Sequence, residues 1–279
     1  MSISIEPHLL QHYKHTYRLL ASMDTWGEPW AAVALKSQLP YGDVVVFPGS
    51  FNPTTLAHLA MLRAARAFTR RQEGGSWQVY AALSRQIVDK EAVERMTQLD
   101  RVVLLERVLA QHVKHAGILL LNRGLYVEQA QGIRVAFPQV RRLRFLVGFD
   151  KLVQILDPRY YDERDSELRE LFALARLLVA PRGDDGASEL SELLAREENR
   201  RFAAFVRLLP LEERYRAISS TEAREVATLE IVPREVRDFI QRTQPYEPSV
   251  PQADGSERDF YTEHTRELRS LLAPESVEA

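Results

Sequence analysis

The stretch VVVFPGSFNPTTLAH, residues 44–58, places a histidine in the first turn of a predicted helix, just beyond an apolar run. A proline ends the run because it cannot donate a ladder hydrogen bond, and Gly49 lets a ligand approach the backbone closely. Thr54 or Thr55 can cap the helix, so His58 stands among free backbone N–H groups that favour an anion. His58 could therefore donate to a phosphate, although an ordinary strand–loop–helix junction explains the same residues.

A second stretch, RAISSTEAREVA at residues 216–227, carries hydroxyls and an arginine together. Ser219 and Glu222 have the spacing of a capping box, which predicts that a helix begins within residues 219–221. Arg224 follows one turn later, and a guanidinium can hold two phosphate oxygens in a fork. These groups suit a polyphosphate, and the alternative is a capped helix with a solvated arginine.

The chain between residues 41 and 247 alternates between apolar runs and helical patterns. The apolar runs are read as strands at 44–47, 79–83, 118–121, 143–147, 176–180 and 206–209. The helical patterns cover 58–68, 98–109, 125–136, 149–156, 166–175 and 187–205. Because apolar residues fill consecutive strand positions, both faces of each strand must be covered. This predicts a doubly wound α/β fold, a mostly parallel sheet with helices on both faces, whose ligands bind at strand carboxyl ends.

Two further segments flank this α/β domain of residues 41–247. Residues 1–40 read as a helical N-terminal extension, with one amphipathic helix near its start and a second in the segment WAAVALKSQL. Residues 248–279 read as a Pro/Gly/Ser-rich linker followed by a short helix at 261–272, expected to lie at the periphery or in a subunit contact.

The composition of the chain argues against several classes of protein. The chain has 279 residues, 45% of them apolar, with a net charge of -2 and no cysteine. Neither a nucleic-acid partner nor a disulfide is expected, and no apolar run is long enough to span a membrane. The first ten residues lack the layout of a signal peptide, so a cytoplasmic location is expected. Oligomeric state is left open, including a homo-oligomer.

Three histidines on one face of the first helix, His8, His12 and His15, could in principle bind a metal. No carboxylate is interleaved with them, and their apolar neighbours indicate ordinary packing. No protein-bound metal site is therefore predicted.

The segments GSFNPTTLAH and ISSTEAR together resemble the two signatures of the HxGH-type nucleotidyltransferase superfamily. More narrowly, they resemble those of nicotinamide or nicotinate mononucleotide adenylyltransferases. The segments FLVGFDKL, RLLVAPRG and VPREVRDFIQRTQPY extend the resemblance over residues 43–246. The resemblance implies a Rossmann-like nucleotidyltransferase fold. The implied reaction joins ATP to a pyridine mononucleotide, giving NAD or deamido-NAD and pyrophosphate without a protein nucleophile.

The same resemblance implies roles for individual residues. Catalysis falls to His58, Thr55 and Arg224, with Thr55 standing where many relatives carry a histidine. Binding of the ATP phosphates falls to Gly49, Ser50, Phe51, Ser219, Ser220, Thr221 and Arg224. Mg²⁺ would enter with ATP, held mainly through phosphates and water rather than by protein ligands.

Residues on the acceptor side match the family more loosely. The candidates for binding the mononucleotide are Lys90, Asp150, Tyr160, Tyr161 and Arg182. Each has a plain alternative: a solvated charge for the two basic residues, a helix cap for the aspartate, and packing under a loop for the tyrosines. None of the three tryptophans follows the FLVGFDKL segment, where relatives commonly stack the pyridine ring. Two alternative functions therefore stay open. One is a related nucleotidyltransferase that acts on another phosphorylated acceptor, and the other is a nucleotide-binding regulator that no longer catalyses a reaction.

Overall fold

A computed structural model describes residues 7–86, 95–181, 183, 186–225, 229–253 and 256–273. Lys90 and Arg182 lie outside the described residues. A seven-stranded sheet in the order β1-β4-β3-β2-β5-β6-β7 forms the centre of the molecule. Its strands are β1 (Ala31–Val33), β2 (Gly42–Pro48), β3 (Trp77–Ser84), β4 (Ala116–Leu121), β5 (Val140–Gly148), β6 (Arg176–Ala180) and β7 (Val206–Leu208). All neighbouring strands are parallel except β1, which runs antiparallel to β4.

The helices follow the strands along the chain. They are α1 (Pro7–Ser22), α2 (Leu56–Glu73), α3 (Gln98–His112), α4 (Tyr126–Ala136), α5 (Phe149–Leu156), α6 (Arg164–Leu174), α7 (Gly186–Ala195), α8 (Glu197–Arg200), α9 (Glu213–Arg216), α10 (Ser220–Glu225), α11 (Arg234–Thr243) and α12 (Phe260–Leu272). All six predicted strands are present. The predicted helix at 149–156 is present with the same ends. Those predicted at 58–68, 98–109, 125–136 and 166–175 are present with one or both ends shifted by a few residues. The predicted α/β fold is thus confirmed.

Two hydrophobic cores cover the two faces of the sheet. Val45 and Phe47 of β2 point into one core, while Val44 and Val46 point into the other. Their fully or almost fully buried side chains explain why the strand is apolar at consecutive positions.

The second helix predicted within residues 1–40 is wrong, because residues 31–33 form strand β1. Ala31 pairs with Leu121 and Val33 with Leu119, so β1 protects the exposed edge of β4. The chain before β1 packs directly on α4 at Gly132, where a Cβ atom would lie 2.7 Å from the backbone nitrogen of Trp30. Helix propensity is overridden here by pairing with a distant strand.

The helix predicted at 187–205 is also corrected, since α7 ends at Ala195 and a short α8 and a 3₁₀ turn follow. The side chain of Asn199 donates to the carbonyl of Leu193 at 3.0 Å. The ring of Phe202 then packs against Phe172, with centroids 5.4 Å apart. These contacts bend the chain back toward β7. The predicted linker contains a two-stranded hairpin, β8 (Val250–Pro251) with β9 (Glu257–Arg258).

The predicted C-terminal helix is present as α12 and packs on other helices of the protein. α12 packs against α1 and α11, and its Leu268 shares a small core with Leu9 of α1 and Val103 of α3. The buried carboxylate of Asp100, in the first turn of α3, joins three helices. It accepts hydrogen bonds from four side chains at 2.7–2.9 Å, those of Tyr13, Thr97, Tyr261 and His264. The two ends of the chain are thereby fastened to the α/β domain.

None of the described helices is long and apolar enough to cross a membrane.

Candidate functional site

The order of the strands reverses between β2 and β5, which are parallel neighbours although a long stretch of chain separates them. The chain leaves β2 toward β3 and β4 on one side, and leaves β5 toward β6 and β7 on the other. Such a switch point opens a crevice at the strand carboxyl ends, here beyond Pro48 and Gly148.

The loop after β2 is held in an unusual conformation. The backbone N–H of Gly49 donates to the carbonyl of Ala82 at 2.9 Å, which ties the loop to β3. Phe51 adopts a left-handed backbone, with a φ of 49°, and its buried ring lies 5.0 Å from that of His58. A Cβ atom at position 49 would lie 3.2 Å from this ring, so glycine is the residue that fits. Exposed Ser50 accepts a hydrogen bond from Arg101 through its carbonyl oxygen at 3.1 Å.

His58 stands in the first turn of α2, as predicted, and its tautomer is defined by a local contact. Its Nδ1 accepts the backbone N–H of Thr55 at 2.9 Å, so the proton of the neutral ring is on Nε2. Burial lowers the pKa of His58 to about 4, yet part of the residue remains exposed. His58 is therefore a neutral Nε2–H donor near pH 7.

Thr55 is the N-cap residue of α2, and its side chain is fully buried. Its hydroxyl lies 2.9 Å from Nδ1 of His58. The threonine for which the resemblance implied a catalytic role therefore faces the histidine ring.

The second signature segment lies directly against the first. The hydroxyl of Ser220 donates to the carbonyl of Pro53 at 2.9 Å. Arg224 donates from Nη1 to the carbonyl of Asn52 at 2.7 Å and from Nη2 to the hydroxyl of Thr221 at 3.2 Å. The predicted cap is also present, because Ser219 Oγ accepts the N–H of Glu222 at 3.1 Å. Two segments more than 160 residues apart thus form one surface at the switch point.

Sequence reasoning missed residues that support this surface. Asn52 is fully buried, and its side-chain oxygen accepts the hydroxyl of Tyr246 at 2.6 Å. Arg101, a residue of α3, donates a hydrogen bond to the Ser50 carbonyl. The closing tyrosine of the VPREVRDFIQRTQPY segment was a signal for Tyr246, but nothing local marked Asn52 or Arg101 as partners of distant groups.

The described acceptor-side candidates lie in α5 and in the turn that follows it. Asp150 is exposed in the first turn of α5, whose N-cap is Gly148, so the alternative of a capping aspartate is wrong. Tyr161 donates its hydroxyl to the carbonyl of Ile155 at 2.7 Å, and burial raises its pKa to about 12. That contact fits packing under the loop. Tyr160 is partly exposed, with the Arg159 guanidinium 5.9 Å from its ring centroid.

The described residues contain no group of three or more histidines or acidic side chains that could hold a metal ion. His12 of the first helix instead pairs with Glu106, with Nδ1 2.8 Å from the carboxylate oxygen. The side chain of His8 lies outside the described part of the chain.

The pKa of His58 predicts how folding stability depends on pH. Because this pKa is about 4 in the folded protein and 6.5 in a free histidine, the unfolded chain binds more protons between these values. The contribution of His58 to the free energy of unfolding should be fully present above pH 6.5. It should decrease as the pH falls from 6.5 toward 4, by at most about 1.4 kcal/mol per pH unit. Urea unfolding of the wild type and His58→Asn measures this, and their difference in unfolding free energy should shrink on acidification. A difference independent of pH would contradict the assignment.

The parallel sheet and the two joined segments at its switch point define an α/β nucleotidyltransferase. The cytidylyltransferase-like family model matches residues 46–226, well over half of the chain, and the chain belongs to this family. A Schizosaccharomyces pombe protein named "Putative nicotinamide mononucleotide adenylyltransferase" is 25% identical over 246 residues. The match covers 80% of this chain and 95% of that relative.

Proposed function

We propose that this enzyme transfers the adenylyl group of ATP to nicotinamide or nicotinate mononucleotide, giving NAD or deamido-NAD and pyrophosphate. The observation that carries this function is the contact of Ser220 and Arg224 with the backbone of Asn52 and Pro53. It brings the hydroxyls and guanidinium of the late segment to the loop that precedes α2, the helix that bears His58. The name of the yeast relative supports the choice of acceptor.

In this reaction a phosphate oxygen of the mononucleotide attacks the α-phosphorus of ATP. The new P–O bond forms as the bond to the β-phosphate breaks, and the electron pair leaves with pyrophosphate. The protein contributes positioning and charge stabilisation, because no covalent intermediate is required.

His58 donates its Nε2 proton in a hydrogen bond to the phosphates as negative charge develops. A neutral donor held by Thr55 needs no reorganisation at the moment of reaction, which is the physical basis of such stabilisation. Thr55 is on this view a positioning residue, since its buried hydroxyl touches the ring and not the solvent.

Arg224 supplies a fixed positive charge for the β- and γ-phosphates. A guanidinium has five N–H groups, and the contacts of Arg224 to Asn52 and Thr221 use one from each terminal nitrogen. The remaining donors suit phosphate oxygens. The backbone of Gly49, Ser50 and Phe51 and the hydroxyls of the late segment complete the phosphate site.

Mg²⁺ enters with ATP as part of the substrate. The described groups at the joined segments are hydroxyls, backbone groups, an imidazole and a guanidinium, which suit phosphate oxygens better than a hard cation. Asp150 and Tyr160 remain the described candidates for contacting the mononucleotide. The proposed function includes a cytoplasmic location for the enzyme.

The decisive experiment supplies the protein with ATP, Mg²⁺ and either pyridine mononucleotide, and follows dinucleotide and pyrophosphate together. We expect stoichiometric formation of both products with at least one mononucleotide. Pyrophosphate release only with other phosphorylated acceptors would favour a related transferase. Tight ATP binding without turnover for any acceptor would favour a regulator.

A further inference from the structure

Three arginines lie on one face of three adjacent strands, outside the candidate active site. Arg144 of β5 pairs in register with Arg176 of β6. Arg207 of β7 pairs with Leu178, which follows Arg176 by two residues on the same face of β6. Paired residues of parallel strands point to the same side, so all three side chains share one face of the sheet.

The outer part of this sheet face, at β6 and β7, is open to solvent. Leu146, Leu178 and Leu209, further along the same strands, point into the core on this face. Arg176 and Arg207, nearer the amino ends, are exposed. Arg144 lies four residues before Gly148, roughly 13 Å from the strand end that borders the candidate active site.

Arg144 itself is unusual because it is buried without full pairing. It is 4% exposed, and its Nη2 lies 2.5 Å from a carboxylate oxygen of Glu73. Its Nε and Nη1 atoms are buried and have no hydrogen-bond partner among the described residues. Buried N–H groups of a charged side chain are rarely left unpaired, so these two point to an absent acceptor.

The local charges favour an anion. The other carboxylate nearby, that of Asp43, is held by Arg142 through two hydrogen bonds of 2.9 and 2.6 Å. Burial lowers the pKa of Arg144, Glu73 raises it, and the charges of Arg176 and Arg207 lower it further. Arg142 also lies 3.7 Å from Glu73, so the named groups on this face are four guanidiniums and two carboxylates. This excess of positive charge costs free energy that an anion would offset.

We propose that Arg144, Arg176 and Arg207 bind a phosphate group, either inorganic phosphate or the phosphate of a small metabolite. A phosphate offers several oxygens and nearly two negative charges, which matches several guanidinium forks better than a carboxylate does. The long exposed side chains of Arg176 and Arg207 fold over the anion, while Arg144 supplies the buried donors.

Calorimetric titration with inorganic phosphate and with glycerol 3-phosphate, at constant ionic strength and without nucleotides, tests this site. The variant Arg176→Gln/Arg207→Gln changes two exposed side chains and leaves the buried Arg144–Glu73 pair intact. We expect it to weaken binding at least about tenfold. The ligand with the higher wild-type affinity identifies the source of the phosphate.

Two matched variants complete the experiment. Arg169→Gln/Arg234→Gln makes the same change in net charge at exposed positions elsewhere and should bind phosphate like the wild type. Arg224→Gln, which alters the candidate active site, should also retain this binding. The proposal is overturned if the wild type binds neither ligand, if Arg176→Gln/Arg207→Gln binds as tightly as the wild type, or if only Arg224→Gln loses binding.

Discussion

Replacement of His58 by alanine is expected to lower kcat for adenylyl transfer by about 10²-fold or more, the usual effect of losing one transition-state donor. The ring is neutral, fixed in one tautomer by the Thr55 backbone, and partly exposed at the switch point. Its contribution should therefore arise as charge develops and not when ATP binds. Steady-state kinetics should show a large fall in kcat with little change in KM for ATP.

The matched control is His15→Ala, because His15 is an exposed histidine of α1, a helix that contributes none of the candidate site residues. It should leave kcat and KM unchanged. Circular dichroism should verify that His58→Ala is folded, since the substitution also removes the acceptor of the Thr55 N–H. A rise in KM for ATP at unchanged kcat would show that His58 only binds the nucleotide.

Replacement of Asp100 by asparagine is expected to lower the free energy of unfolding by about 3 kcal/mol, the scale of disrupting a buried charged network. Burial alone would raise the pKa of Asp100, but hydrogen bonds from His264, Tyr261 and Thr97 hold it below its usual value. The amide would turn a donor toward groups that need an acceptor. Because the network fastens α1 and α12 to α3, its loss should loosen both ends of the chain.

Urea denaturation measures this effect, with Asp238→Asn as the control. Asp238 is largely exposed and pairs with Arg234 one helical turn away, so its loss should cost well under 1 kcal/mol. Hydrogen exchange should report faster opening of α1 and α12 in Asp100→Asn. Equal stability of the two variants would show that the hydrogen bonds to Asp100 contribute no net stabilisation.

Local patterns were sufficient for most of the α/β domain. Consecutive apolar residues identified most of the six parallel strands because these strands are buried on both faces. β7 is the exception, since its Arg207 is exposed. Helical periodicity identified α2 to α6, with α5 placed at its observed ends. The predictions for residues 31–33 and 187–205 were wrong because pairing with β4 and the turn around Asn199 depend on distant parts of the chain.

The sequence by itself determined that the chain is an α/β protein with two phosphate-suited segments. It also placed His58 at the start of the helix that follows the first strand of the domain. These are local properties, fixed by residue type and spacing.

Only the tertiary structure decided how those residues are arranged. The Asn52 carbonyl orients Arg224 across 172 residues, and Tyr261 meets Asp100 across 161. The buried Thr55 hydroxyl and the low pKa of His58 follow from the packing around them. The same holds for the unpaired donors of Arg144, since burial and the position of distant charges arise only when separated strands and helices are brought together.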